Sequence, residues 1–129
     1  MAKIVMVVDD DPDLLELLDL VLSEEGYQVV PCPVSTEACH KARQVRPAVV
    51  IVNLIMHGLD GWQVIEQLKA DPATAGIPLI VCSAAVTQAT EQSAALRRRG
   101  CEILVKPFEI GDLLAMVAKA VERRNRNCL

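Results

Sequence analysis

Four places in the chain carry side chains with chemistry to offer, and each follows an apolar run. Asp9, Asp10 and Asp11 come after "KIVMVV", and Asn53 comes after "AVVIV". Ser83 and Ala84 follow "IPLIVC", and Lys106 and Pro107 follow "EILV". Adjacent carboxylates at such a place are costly: two unit charges ~4 Å apart at an effective dielectric of ~20 repel by roughly 4 kcal/mol. A cation relieves that repulsion. Mg²⁺, bound through oxygens with several waters retained, is the natural one, and Lys106 supplies part of the same compensation. Asp9 and Asp10 therefore read as a metal or charge site, whereas Asp11, just before Pro12, reads as a helix cap.

The elements that must position these groups are legible as alternating strands and helices. Residues 3–8 form a continuous apolar strand, and the helix after it runs from Pro12 to the exit glycine Gly26, with Leu14, Leu18, Val21 and Leu22 at helical spacing. "YQVV" is a second strand, and a helix from Ser35 to Arg46 is stopped by Pro47. The strand 48–52 leads to a short helix over 62–70, ended by Asp71-Pro72. Strand 77–82, a helix from about Thr87 to Arg99, strand 102–105 and a helix to about Arg124, with Leu113, Val117 and Val121 on its apolar face, complete the series. Five alternating pairs imply a doubly wound α/β domain whose parallel sheet is covered on both faces, which explains strands that are apolar throughout. In such a sheet function gathers outside the carboxyl ends of the strands, where the four groups lie. The domain is expected over residues 1–124, with 125–129 as a polar tail.

Composition narrows the class. No apolar run approaches the ~20 residues of a membrane-spanning helix. Acids follow the first apolar run within a few residues, so no export signal is expected there. The net charge of −4 carries no general nucleic-acid footprint. The clusters Arg97–Arg99 and Arg123, Arg124 and Arg126 read as solvated helix ends. The five cysteines have neither C-x-x-C nor zinc spacing, as expected of reduced thiols in a cytoplasm, with Cys82 packed and Cys128 exposed.

Together, "VVDDDPDLLELL", "NLIMHGLDGW", "VCSAA" and "VKPFE" resemble the receiver domain of bacterial response regulators, the CheY-like superfamily, over residues 3 to about 122. The resemblance implies a three-layer flavodoxin-like (βα)5 fold with strand order 2-1-3-4-5. It implies a sensor histidine kinase as partner, and transfer of a phosphoryl group to an acid at the end of the third strand. Asp9, Asp10 and the Ile55 carbonyl match the Mg²⁺ ligands. Ser83, with Ala84 following, and Lys106 match the phosphoryl contacts, and the Lys106–Pro107 peptide is implied to be cis. A homodimer or partner face is implied on the fourth helix, fifth strand and fifth helix, where Ala94, Ala95, Arg97–Arg99 and Leu114 lie.

The departures carry the function. The acceptor position falls on Asn53, with Met56, Asp60 and Gly61 holding the register of the loop. A neutral amide with a delocalised lone pair does not form an acyl phosphate. Asp9, Asp10 and Lys106 leave the pocket one negative charge short of the family pattern, so Mg²⁺ binding, with Asn53 as a weak ligand, is expected to be weak. His57 replaces a loop proline, and Ile103 replaces the aromatic switch residue of the fifth strand. His40 is read as a surface residue without a role, and Trp62, at the start of the third helix, as a surface or half-packed structural residue.

The first reading is therefore a degenerate receiver, not an enzyme, that works in two-component signalling through protein contacts without direct nucleic-acid binding. The second is a phosphoaccepting receiver whose aspartate was exchanged for asparagine by an engineered substitution. A remote third is a haloacid-dehalogenase-like phosphatase with Asp9 as nucleophile, opposed by Asp13 in its motif. A flavodoxin-like cofactor site is set aside, because three aspartates after the first strand repel a phosphate.

Overall fold

A computed structural model describes residues 2–56, 58–84 and 91–127, with side chains to Arg124. Five strands, β1 (Ile4–Val8), β2 (Gln28–Cys32), β3 (Val49–Asn53), β4 (Leu79–Ser83) and β5 (Cys101–Val105), form one parallel sheet in the order β2-β1-β3-β4-β5. The helices are α1 (Pro12–Glu24), α2 (Ala38–Val45), α3 (Gly61–Ala70), α4 (Glu91–Arg98) and α5 (Ile110–Asn127). This is the flavodoxin-like architecture expected.

Side chains alternate across each strand, so each strand feeds two cores. Met6, Val8, Val50, Val52, Val81 and Ile103 pack on one face with Ala42, Ile65, Leu68 and Leu96 from α2, α3 and α4. Val5, Val7, Ile51, Ile80 and Cys82 pack on the other with Leu18 and Leu22 of α1 and Leu113, Val117 and Val121 of α5. Burial on both faces is why no strand alternates polar with apolar.

The capping expectations hold at α1. Asp11 adopts an extended backbone and its carboxylate accepts the Asp13 N–H, Pro12 opens the helix, and Gly26 leaves it at φ +91°. Pro31 lies inside β2, which is tolerated because β2 is an edge strand. The second helix differs from expectation. Residues Ser35–Glu37 form a tight 3₁₀ turn before α2, and the chain ends α2 at Arg46 with φ 49°, a left-handed position taken without a glycine. At α4 the residues 85–90, including the expected start near Thr87, lie outside the described set. α5 continues to Asn127, beyond the expected end near Arg124.

Among the described residues, the β3–α3 connection is held by a cap and a close backbone return. Asp60 and Gln63 form a reciprocal capping box, each side chain binding the other's backbone N–H. The Gly61 N–H donates to the Leu54 carbonyl at 2.8 Å. A Cβ at Gly61 would lie 2.5 Å from both the Asn53 carbonyl oxygen and the Leu54 Cα, which are backbone atoms with little freedom to move. Gly61→Ala should therefore destabilise the fold by about 1–3 kcal/mol. Urea denaturation measures this, and an unchanged midpoint would mean the loop has room to yield.

Candidate functional site

The strand order reverses between β1 and β3, and the two strands run side by side with Val8 opposite Val52. The next residue of each strand exit is Asp9 and Asn53. The two side chains therefore meet at the switch point where an open α/β sheet leaves a crevice.

Asp9 is 2% exposed, yet it is a carboxylate. Its Oδ1 accepts the Asp11 N–H at 3.0 Å and a longer contact from the Asn53 Nδ2 at 3.4 Å. Its Oδ2 faces the Lys106 ammonium at 3.5 Å. The Asn53 Nδ2 also donates to the Ile55 carbonyl at 2.8 Å. Both groups facing that nitrogen are acceptors only, so the amide nitrogen and not its oxygen must point toward them. Asp10 is half-buried beside Asp9.

β4 and β5 bring the remaining groups. Ser83 ends β4, buried, and its carbonyl accepts the Lys106 N–H at 3.1 Å. Ala84 follows it, exposed. The Lys106–Pro107 peptide is cis, as the resemblance implied. Ile103, opposite Val81, is packed into the core with Leu96 rather than standing at the surface. The Ile55 side chain is exposed, so only its carbonyl belongs to the site. His57 lies outside the described residues.

The structure thus joins Asp9, Asn53, the Ile55 carbonyl and Lys106 by direct contacts, and reaches Ser83 through the backbone of Lys106. Two positioning groups were missed in the sequence. The Asp11 backbone N–H supports Asp9, and Gln63 fixes the loop cap; the spacing D-x-x-Q over residues 60–63 signals the latter. A contact between Arg99 and the Trp62 ring, 5.7 Å to its centroid, with an Arg99–Glu66 ion pair, ties the C-terminal end of α4 to α3 beside the loop.

A divalent cation at this site needs oxygens presented together. As the side chains stand, the donor set does not fit one. The Ile55 carbonyl and Asp9 Oδ1 both already face N–H donors, and Asp9 Oδ2 faces an ammonium. Among the described residues, no three His, Cys, Asp or Glu side chains cluster as metal ligands.

The fold is a doubly wound α/β domain that brings an acid, an amide and a lysine together at its switch point. The response regulator receiver domain model matches residues 5–118, and the chain belongs to that family. It is 32% identical to the DNA-binding response regulator MtrA of Mycolicibacterium smegmatis over 127 residues, 98% of this chain and 54% of MtrA. It is also 32% identical to protein PilH of Pseudomonas aeruginosa over 117 residues, 91% of this chain and 95% of PilH. The chain spans about half the length of MtrA and its mycobacterial counterparts. Among solved structures, a response regulator from Desulfuromonas acetoxidans superposes with TM-score 0.80 at 27% identity, covering 93% of this chain and 97% of that one. A CheY-like receiver domain protein from Methanospirillum hungatei shares the fold with TM-score 0.86 at 20% identity, covering 98% and 99%.

Cys82 lies on β4 beneath the site, and burial pushes its thiol up to about 11; Lys106 opposes that shift and Asp9 adds to it. Burial also raises the thiols of Cys32 and Cys101. In the folded chain at about pH 8, alkylation should therefore reach half-buried Cys39 well before these three. Between pH 9.0 and about 11 the unfolded chain gives up the Cys82 proton that the folded chain keeps, so stability falls as pH rises through that window. Peptide mapping after brief labelling and denaturation midpoints on either side of pH 9.0 check both expectations. Early labelling of Cys82 in the folded state would contradict them.

Proposed function

We propose that this receiver domain works in two-component signalling as a protein-interaction module that is not phosphorylated at residue 53. The observation that carries the reading is the Asn53 carboxamide at the end of β3, held by the Ile55 carbonyl. An amide there offers no carboxylate nucleophile for an acyl phosphate, and its nitrogen rather than its oxygen faces the site. The chain then acts by binding and not as an enzyme.

The same reading gives the other groups reduced roles. Mg²⁺ binding through Asp9, Asp10, the Ile55 carbonyl and, as a weak ligand, Asn53 requires the Asn53 carboxamide to turn its oxygen inward, which keeps the affinity low. Asp9 and Asp10 with Lys106 sum to a single formal negative charge. Ser83, with Ala84, and Lys106 stand where a phosphoryl group would be contacted. Ile103, packed against Leu96, replaces a rotating ring with a side chain that has no inward and outward position to report.

The partner is a sensor histidine kinase or another two-component protein. The face formed by α4, β5 and α5 suits a partner or a second copy, with Ala94 and Arg97–Arg99 exposed and Leu114 half-buried. No helix among the described residues is long and apolar enough to cross a membrane, and a cytoplasmic site of action fits the reduced thiols. The net charge of −4 argues against direct nucleic-acid binding by this domain.

One specific observation favours the second reading, a phosphoaccepting receiver with an engineered asparagine. Asp9, Lys106 and Ser83 still occupy their strand ends, as a single exchange would leave them.

The test is intact mass after incubation with Mg²⁺ and acetyl phosphate, for this chain beside its Asn53→Asp variant. The expected result is a phosphoryl group on the variant alone, with the pocket competent and the amide silent. A phosphoryl group on the unaltered chain sinks the proposal, and peptide mapping would then show which oxygen accepts it.

A further inference from the structure

We propose that the Asn53 carboxamide takes the place of a divalent cation, bridging the Ile55 carbonyl and the Asp9 carboxylate so that the β3–α3 loop is held without metal. The inference rests on the reading of Asn53 as a non-acceptor, and it concerns what holds the site together rather than what reacts there.

The argument starts from the oxygens. A cation in this crevice would gather the Asp9 carboxylate, the backbone carbonyl of Ile55 and the side chain at residue 53. The structure gathers the same three groups with a nitrogen. Nδ2 of Asn53 lies 2.8 Å from the Ile55 carbonyl and 3.4 Å from Asp9 Oδ1. The carboxamide NH₂ has two protons, one for each acceptor. The shorter bond closes a turn from residue 53 to residue 55, which fixes where the chain leaves β3. The longer contact ties that turn to β1.

Asp9 is satisfied in the same way. Its buried carboxylate meets the Asp11 N–H at 3.0 Å, the Asn53 amide, and Lys106 at 3.5 Å. A buried carboxylate with one ammonium and two N–H donors is compensated as a buried charge must be. An aspartate at position 53 would set a second carboxylate against Asp9 and the Ile55 carbonyl, three oxygens facing one another, and that arrangement needs a cation to be comfortable. With asparagine, entry of a cation requires the carboxamide to turn over and both contacts to break. Weak Mg²⁺ affinity is then a consequence of competition as well as of the lost charge.

The test uses the full chain, its Asn53→Asp variant and its Asn53→Ala variant, each in EDTA and in MgCl₂. For the unaltered chain, the thermal midpoint should move by less than about 1 °C between EDTA and ~10 mM MgCl₂. The Asn53→Asp variant should be less stable in EDTA and recover by about 4–8 °C at the same Mg²⁺ concentration. Asn53→Ala should lose about 3–6 °C in EDTA and not recover with Mg²⁺. Because a variant can fail to fold, a second readout uses the unaltered chain alone. The Asn53 side-chain NH₂ signals in a ¹⁵N NMR spectrum should exchange slowly with solvent and stay in place as MgCl₂ is added.

The inference is overturned if Mg²⁺ raises the midpoint of the unaltered chain as far as that of Asn53→Asp. It is equally overturned if Asn53→Ala matches the unaltered chain in EDTA, or if the Asn53 NH₂ protons exchange as fast as exposed amides. None of these readouts involves a phosphodonor. Phosphorylation of the unaltered chain would undo the functional proposal and leave this one standing or falling on its own data.

Discussion

A carboxylate that cannot reach water governs the arrangement of this domain. Asp9 stands at the end of β1, next to the middle of the sheet, with 2% of its surface exposed. Leaving such a group ionised and uncompensated costs several kcal/mol, so the surrounding chain must deliver donors to it. Three segments do so: the start of α1 through the Asp11 N–H, the end of β3 through Asn53, and the end of β5 through Lys106. The last two are remote from Asp9 in sequence and meet it only when the sheet has formed in its observed order. The same contacts that satisfy the charge therefore also report that the topology is complete.

The parallel sheet makes that convergence possible. Every strand points its carboxyl end to the same edge, and the crossovers through helices on both faces leave that edge uncovered. The two cores fix the strands in register, since a slip of one residue would exchange the Val5–Val7 face for the Met6–Val8 face. Register at the strand ends is what sets Asp9 beside Asn53 to within a hydrogen bond. The site's geometry is thus a product of packing far from it.

Much of this was legible in the residues because the signals are local. Continuous apolar runs mark doubly buried strands, and Asp11-Pro12 and Gly26 mark the ends of α1. The convergence of Asp9, Asn53, Ser83 and Lys106 on one edge needed only the alternation of strands and helices. What the sequence did not reveal depends on tertiary contact. The split of residues 35–45 into a 3₁₀ turn and α2 leaves no mark in the apolar spacing. The left-handed Arg46 has no glycine to announce it. The role of Gly61 is set by how closely the chain returns past Leu54, which no pattern of neighbours encodes. The direction of the Asn53 amide was also hidden, because it is fixed by acceptors contributed by two different strand exits.

That direction changes how the departures from the family pattern fit together. Read singly, Asn53 is a lost nucleophile and Ile103 a lost reporter. In the structure they act on opposite ends of one connection. Asn53 holds the exit of β3 through Ile55, and Ile103 fills the core between β5 and Leu96 of α4. Between them, the Arg99 contacts with Trp62 and Glu66 bind α4 to α3. On the proposed reading, a loop anchored by an amide and a strand without an aromatic ring at residue 103 give the described residues a chain of contacts that keeps one arrangement. A face that keeps one shape binds without first spending free energy on reaching it, because the competent population is not divided between two states. On the proposed reading, the residues at 53 and 103 therefore act together, and the face they support is constant rather than switched.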